Sequence, residues 1–283
     1  MSIKQHRGAS FAVLALVYAA AATGGIFLYL ALPFVFWVNL LLADIAATAF
    51  TFLFSLFFRN ASVYDPYWSV APPVVLIALG VQNGMNAARW LLLIAVCFWG
   101  VRLTANWAYT FRGLSHQDWR YTMLNEKTGK FYPFVNFLGI HLVPTLVVYG
   151  CMLPAVFVFE TAVSLNVGAW IFFAVSVLAA TVQGVADIQM HRFRKSGPGG
   201  FIRVGLWKYS RHPNYLGEIL MWWGVALFTV CVLPTYWYLC VGALANTLLF
   251  LFVSIPMADK RQSKKAGFAQ YKAATRMLLP IKK

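Results

Sequence analysis

The sequence predicts an all-α fold, a polytopic bundle of transmembrane helices, and three features predict it. Apolar residues make up 61% of the 283 residues and charged ones only 11%, against about a quarter charged in an ordinary soluble domain. Mean hydropathy is +0.69. Apolar runs recur that are long enough to cross a bilayer, which takes about 20 helical residues, and they lack the period-two alternation of barrel strands.

In order along the chain, the runs place spans at 10–32, 34–58, 70–81, 88–111, 133–158, 162–190, 214–233 and 236–256. The first follows the basic segment MSIKQHRGAS, is longer than a signal-peptide core and lacks a clear small-residue cleavage site, so a retained helix is expected. The third is short and is expected to open at Pro72-Pro73, which leaves seven or eight spans. No linker, composition break or internal repeat divides the chain, and residues 1–283 read as a single integral membrane domain.

The net charge of +15 arises from 23 basic against 8 acidic residues. On a soluble chain this excess would suggest nucleic acid; here it reads as basic loops held in the cytoplasm against anionic lipid, so membrane lipids and no nucleic acid are expected as partners. The connections at 159–161 and 234–235 carry no Lys or Arg, whereas 191–211 and 260–283 carry many. Eight crossings then place both termini in the cytoplasm, in a bacterial inner membrane. Cys97, Cys151, Cys231 and Cys240 lie in apolar stretches without CxxC spacing and read as small buried hydrophobes, so no metal is expected.

The eight acids are informative because they are few. Asp118, Glu126 and Glu160 fall in loops or at span ends, and Asp259 is expected to cap or pair with Lys260 or Arg261. Glu218 lies one turn inside a span, where a charge costs at least about 2.5 kcal/mol, and so requires a partner or a polar cavity. Asp187 shares a helix face with Gln183 and Arg194 if the helix continues. Asp65 precedes Pro66 in a non-helical stretch of the kind tolerated at membrane depth only against protein or a water-filled cavity. Asp44, in LLADIAATA, reads as a polar contact between helices rather than a catalytic group.

The densest chemistry is DIQMHRFRKSGPGGFIRVGLWKYSRHPNYLGE, residues 187–218. Arginine forks bind phosphate oxygens bidentately and glycines let backbone amides approach, so the loop suits an anionic cofactor, although a basic loop serving topology alone would share its composition. Neither GxxxxGK[ST] nor GxGxxG after a strand is present, so a soluble nucleotide-binding fold is unsupported.

FRKSGPGGFIRVGLWKYSRHPNYLGEILMWWG resembles the C-terminal domain of membrane steroid 5α-reductases, and YDPYWSVAPP, WGVRLTANW and HQDWRY look like their bacterial relatives. The RHPNY core also occurs in sterol C14 and C7 reductases and in isoprenylcysteine carboxyl methyltransferases. The ensemble of Asp187, Arg194, Lys195, Gly197, Asn214 and Glu218 is what favours a reductase. The resemblance makes 187–283 a cofactor-binding half and implies NADPH in a cytoplasm-facing cavity, held by Arg120, Asp187, Arg194, Arg203, Tyr209, His212, Asn214 and Glu218. Arg194, Lys195 and Arg203 suit its 2′-phosphate.

The family's Gln-Glu pair falls on Tyr64 and Asp65, a departure that shortens the acid. A further family tyrosine matches Asn106, Trp107 or Tyr109, of which Tyr109 has the chemistry. The implied reaction reduces the C4=C5 bond of a 3-oxo-4-ene steroid, or a related enone lipid, that enters from the lipid phase. Hydride arrives at the β carbon, protonated Asp65 or the phenol of Tyr64 or Tyr109 supports the oxygen, and a tyrosine or water protonates the α carbon. No obligate protein partner is implied. Two readings compete: a methyltransferase using S-adenosylmethionine, with RHPNY and a tail acid, and a transporter, against which the absence of repeated halves argues.

Overall fold

The computed structural model describes residues 4–197 and 199–280, so Pro198 of the glycine-rich loop and the last lysines lie outside the described residues. Twelve α-helices occur among them: α1 Arg7–Ala31, α2 Phe36–Phe58, α3 Tyr67–Asn83, α4 Ala87–Thr110, α5 Trp119–Thr128, α6 Tyr132–Val135, α7 Val143–Glu160, α8 Val167–Ser196, α9 Pro213–Val232, α10 Val241–Leu249, α11 Ile255–Gln262 and α12 Phe268–Ala274. The only bridge among the described residues pairs Ser210 with Arg276.

Seven helical stretches are long and apolar enough to cross a membrane: α1, α2, α4, Trp119–Glu160, α8, α9 and Pro234–Gln262. The observed helices match the sequence-based spans to within a few residues at most ends. α3 departs from expectation by starting five residues before Pro72. Each proline lacks the N–H owed to the carbonyl four residues back, so the carbonyls of Trp68 and Ser69 go without their regular helical bond. The Ser69 carbonyl instead lies against Gly100, where an added Cβ would come within 2.5 Å of it.

Two long stretches are interrupted in the same way. Trp119–Glu160 passes through a π-helical turn at Asn136–Leu142 before Val143-Pro144, and Pro234–Gln262 through one at Phe250–Ser254 before Ile255-Pro256. A proline at the second position of the following helix cannot complete the regular ladder, and the wider turn accommodates the missing bond.

The chain forms two compact units. One contains the chain up to Gln82 and Gly100–Tyr149; the other contains Asn83–Trp99 and the chain from Gly150 onward. In the first, α1 pairs with α2, and Tyr18, Tyr64 and Tyr67 form an aromatic cluster. In the second, α8 and α9 form the most extensive helix pair. Gly217 sits against the Ala179 carbonyl, 2.6 Å from where its Cβ would stand, and Gly224 against Ser176, so small residues bring the backbones together.

Candidate functional site

In the first unit the site grows from the loop after α2. Asn60 Nδ2 donates to the carbonyls of Leu114 at 2.7 Å and His116 at 3.1 Å, while its Oδ1 accepts from Ser62 N. Ala61 N donates to Gln117 Oε1, and Asp118 N donates to Ser62 Oγ at 3.0 Å. These bonds fix the loop bearing Asp65 against the segment leading into α5, and they bring the Tyr121 hydroxyl to Asp65 Oδ1 at 2.6 Å.

Burial pushes the Asp65 carboxyl up to about 6, against the opposing pull of the Tyr121 hydrogen bond and the Arg120 charge. Arg120 is itself exposed and engaged by Asp118, Nε to Oδ1 at 2.8 Å, where Asp118 also caps α5. The pair therefore presents a carboxyl that holds its proton unusually well beside a phenol.

Tyr64 is fully buried and serves a different network. Its hydroxyl lies 2.6 Å from Thr145 Oγ1, which lies 2.8 Å from Thr48 Oγ1 and donates to the His141 carbonyl at 3.0 Å. Thr145 has one proton and gives it to His141, so Tyr64 and Thr48 must both donate to Thr145. The Tyr64 proton is thus engaged, and burial pushes its phenol up. Tyr109 is 65% exposed on α4; Tyr121, which the sequence reading passed over, is the tyrosine on Asp65. Tyr67 donates to Asp44 Oδ1 at 2.8 Å, which makes Asp44 the interhelical contact expected.

In the second unit α8 continues through Arg194 and Lys195, both exposed in its last turn, and Gly197 ends it in the left-handed conformation with φ 62°. Gly199 and Gly200 also have positive φ, 69° and 67°, and open space where a Cβ would stand. Phe201 and Ile202 anchor the loop, with the exposed Arg203 guanidinium 4.9 Å from the Phe201 ring centroid. A cleft of about 300 Å³ is lined by Phe193, Gly199, Gly200, Arg203 and Ala266 among others. Lys265 Nζ donates to the Gly200 carbonyl at 2.6 Å. Burial lowers the Lys265 ammonium, and the charges of Arg261 and Arg194 lower it further, so tail cations join the loop cations here. Only the folded tail reveals that contribution.

The RHPN segment is tied to the tail. Asp259 accepts from Arg211 Nη2 at 3.2 Å, pairs with His212 Nε2 at 3.0 Å and lies 3.4 Å from Lys272 Nζ. This corrects the expectation of Lys260 or Arg261 as its partner: the chain folds back so that Arg211 N also donates to the Arg276 carbonyl. His212 stacks on Tyr215 with centroids 5.2 Å apart. Tyr209 is exposed, Asp187 is partly buried, and Asn214 keeps a buried Oδ1 without a hydrogen-bond partner among the described residues.

Glu218 is buried and accepts from three neutral donors: Trp99 Nε1 at 2.8 Å, Gln183 Nε2 at 2.7 Å and Trp222 Nε1 at 2.9 Å. The partner that its position demands is therefore an indole–amide cage. Gln183 turns inward to it, leaving Asp187 and Arg194 as the outer part of the α8 polar stripe.

The family described as "Protein of unknown function (DUF1295)" matches residues 51–275, which include both polar regions. Uncharacterized protein C594.04c of Schizosaccharomyces pombe is 28% identical over 231 residues, 71% of this chain and 66% of that protein, so the match spans just under two thirds of the relative's length. No solved structure shows a significant match. With most of its length matched, this polytopic membrane protein belongs to the DUF1295 family.

Proposed function

We propose that the protein is a membrane reductase that saturates a carbonyl-conjugated C=C bond in an apolar lipid such as a 3-oxo-4-ene steroid, with NADPH as reductant. The observation that carries the reading is the Asp65–Tyr121 pair, a carboxyl raised to about 6 by burial with a phenol on one of its oxygens. Protonated Asp65 accepts from Tyr121 on Oδ1, and a substrate carbonyl would compete with the Ser62 hydroxyl, also hydrogen-bonded to this carboxyl, for its proton. An apolar substrate that displaces water raises this carboxyl further. As negative charge builds on the substrate oxygen, that donor stabilises it.

NADPH, when bound, supplies the hydride for the β carbon. The second unit's residues fit such an anionic group. Arg194, Lys195 and Arg203 are exposed around the open Gly199-Gly200 turn, and the buried Asn214 Oδ1 and Gln183 Oε1 are acceptors without partners among the described residues. Arg194 and Arg203 bind the 2′-phosphate as forks, with Lys195 as a point charge. Asp187, Tyr209, His212 and Arg120 remain assigned to the cofactor on the resemblance to steroid 5α-reductases. In this reading Glu218 holds the α9 scaffold through its cage. The basic loop faces the cytoplasm, where NADPH is found.

The test is NADPH oxidation by detergent-purified protein with progesterone, the product identified by mass spectrometry. The reading requires a product heavier by two hydrogens, formed with equimolar loss of NADPH. Asp259 seated on the Arg211-His212 pair favours a second reading, a methyltransferase using S-adenosylmethionine with RHPNY and a tail acid. Binding of S-adenosylmethionine without binding of NADPH would establish that alternative.

A further inference from the structure

A second cleft, of about 430 Å³, lies in the second unit where the last membrane-crossing stretch gives way to the polar tail. Its walls differ in chemistry. Leu251, Ile255, Pro256 and Met277 form an apolar side, and Arg211, Lys260 and Lys272 a cationic one that outnumbers the single carboxylate, Asp259. The neighbouring Phe252 and Val253 are 72% and 47% exposed, so the apolar side adjoins a surface suited to lipid tails.

Arg211 supplies an independent sign of a ligand. It is only 9% exposed; Nη1 donates to the Thr275 carbonyl at 2.7 Å and Nη2 to Asp259, yet its buried Nε has no acceptor among the described residues. A buried guanidinium N–H without an acceptor is costly, and the side chain that carries it lines the cleft.

From this combination we infer that the cleft binds the phosphate headgroup of an anionic phospholipid, its acyl chains lying along Leu251, Ile255 and the exposed face beside them. The chemistry recognised is phosphate, which a soluble phosphate shares, but the apolar wall favours the lipid. The inference is independent of the reductase reading and survives if that reading fails.

The experiment uses full-length protein and native mass spectrometry to compare retention of phosphatidylglycerol with that of phosphatidylcholine. Each cation near a headgroup contributes about fivefold in affinity, so Lys260→Gln with Lys272→Gln should lower the preference for phosphatidylglycerol by about twenty-fivefold. Lys264→Gln, an exposed tail lysine outside the cleft's lining, should leave the preference well short of the about fivefold loss expected for a cation at the headgroup. Inorganic phosphate and adenosine 2′,5′-bisphosphate, added as competitors, should not displace the lipid. A loss of about fivefold in Lys264→Gln, the same per charge as in the cleft variant, would reduce the effect to diffuse surface charge, and displacement by a soluble phosphate would make the cleft a soluble-anion site; either result overturns the proposal. Size-exclusion profiles matching wild type verify that the variants are folded.

Discussion

Tyr121 donates to Asp65 at 2.6 Å across 56 positions of sequence. The hydrogen bond favours the carboxylate, while burial favours the acid and prevails. If protonated Asp65 supports the substrate oxygen, turnover is highest below about pH 6 and falls about tenfold per unit above it. Tyr121→Phe removes a hydrogen bond that stabilises the carboxylate, so the inflection moves upward. Asp65→Asn abolishes it. A pH–rate profile of the three proteins measures both effects.

The same carboxyl couples pH to stability. Folding raises its affinity for the proton, so its stabilising contribution is complete below the ordinary aspartate value, about 4, and is lost as pH rises through about 6. Thermal unfolding in detergent should show a melting temperature that declines across this window in the wild type. The decline should be shallower in Asp65→Asn.

Arg194, in the last turn of α8, and Arg203, in the loop after it, are the exposed guanidinium groups proposed to hold the 2′-phosphate. A hydrogen-bonded charge pair of this kind contributes about 1.5–3 kcal/mol, so Arg203→Ala should raise the KM for NADPH by about tenfold or more. The KM for NADH, which lacks that phosphate, should change little. Steady-state kinetics with both nucleotides gives the ratio.

Glu218 satisfies three donors at once. Glu218→Leu strands two indole N–H groups and an amide, each costing about 1–3 kcal/mol when left unsatisfied in the interior. That sum is comparable to a typical domain's whole stability, so the variant should fail to accumulate as folded protein. Trp222→Phe strands no donor and should remain folded with a lowered melting temperature. Expression and thermal unfolding distinguish the two.

Gly242 packs so closely on Gly150 that a Cβ there would overlap the Gly150 carbonyl, and Cys151 Sγ reaches the Gly242 carbonyl at 3.3 Å. Gly242→Ala must push α10 away from α7 and should cost about 1–3 kcal/mol. Gly24→Ala, with nothing within 4 Å of the added carbon, should be neutral or up to about 1 kcal/mol stabilising. Melting temperatures in one detergent compare them.

The spans were legible because continuous apolar runs have one use in a helix. The ends of α2, α4 and α9 follow directly from where those runs stop. Asp44, Asp65 and Glu218 were legible as unusual acids because charge at those places is expensive, but their partners were not. Tyr121 reaches Asp65 only through the Asn60 and Asp118 bonds, and Trp99 is 119 positions from Glu218. Asp259 shows the limit most clearly: two adjacent cations offered local pairing, and the fold-back of α12 brought Arg211, His212 and Lys272 instead. The start of α3 was obscured because prolines at its sixth and seventh positions look like a beginning.

The most direct measurement is isotope transfer. Purified protein is incubated with progesterone and NADPH deuterated at the transferring position of the nicotinamide C4, and the product is analysed by mass spectrometry and NMR. The proposed reaction places one deuterium on the β carbon and a solvent-derived proton on the α carbon, with the rate of labelling lowered about tenfold when Arg203→Ala is assayed at low NADPH. Unlabelled, unreduced progesterone under conditions where S-adenosylmethionine binds the protein would contradict the reductase reading.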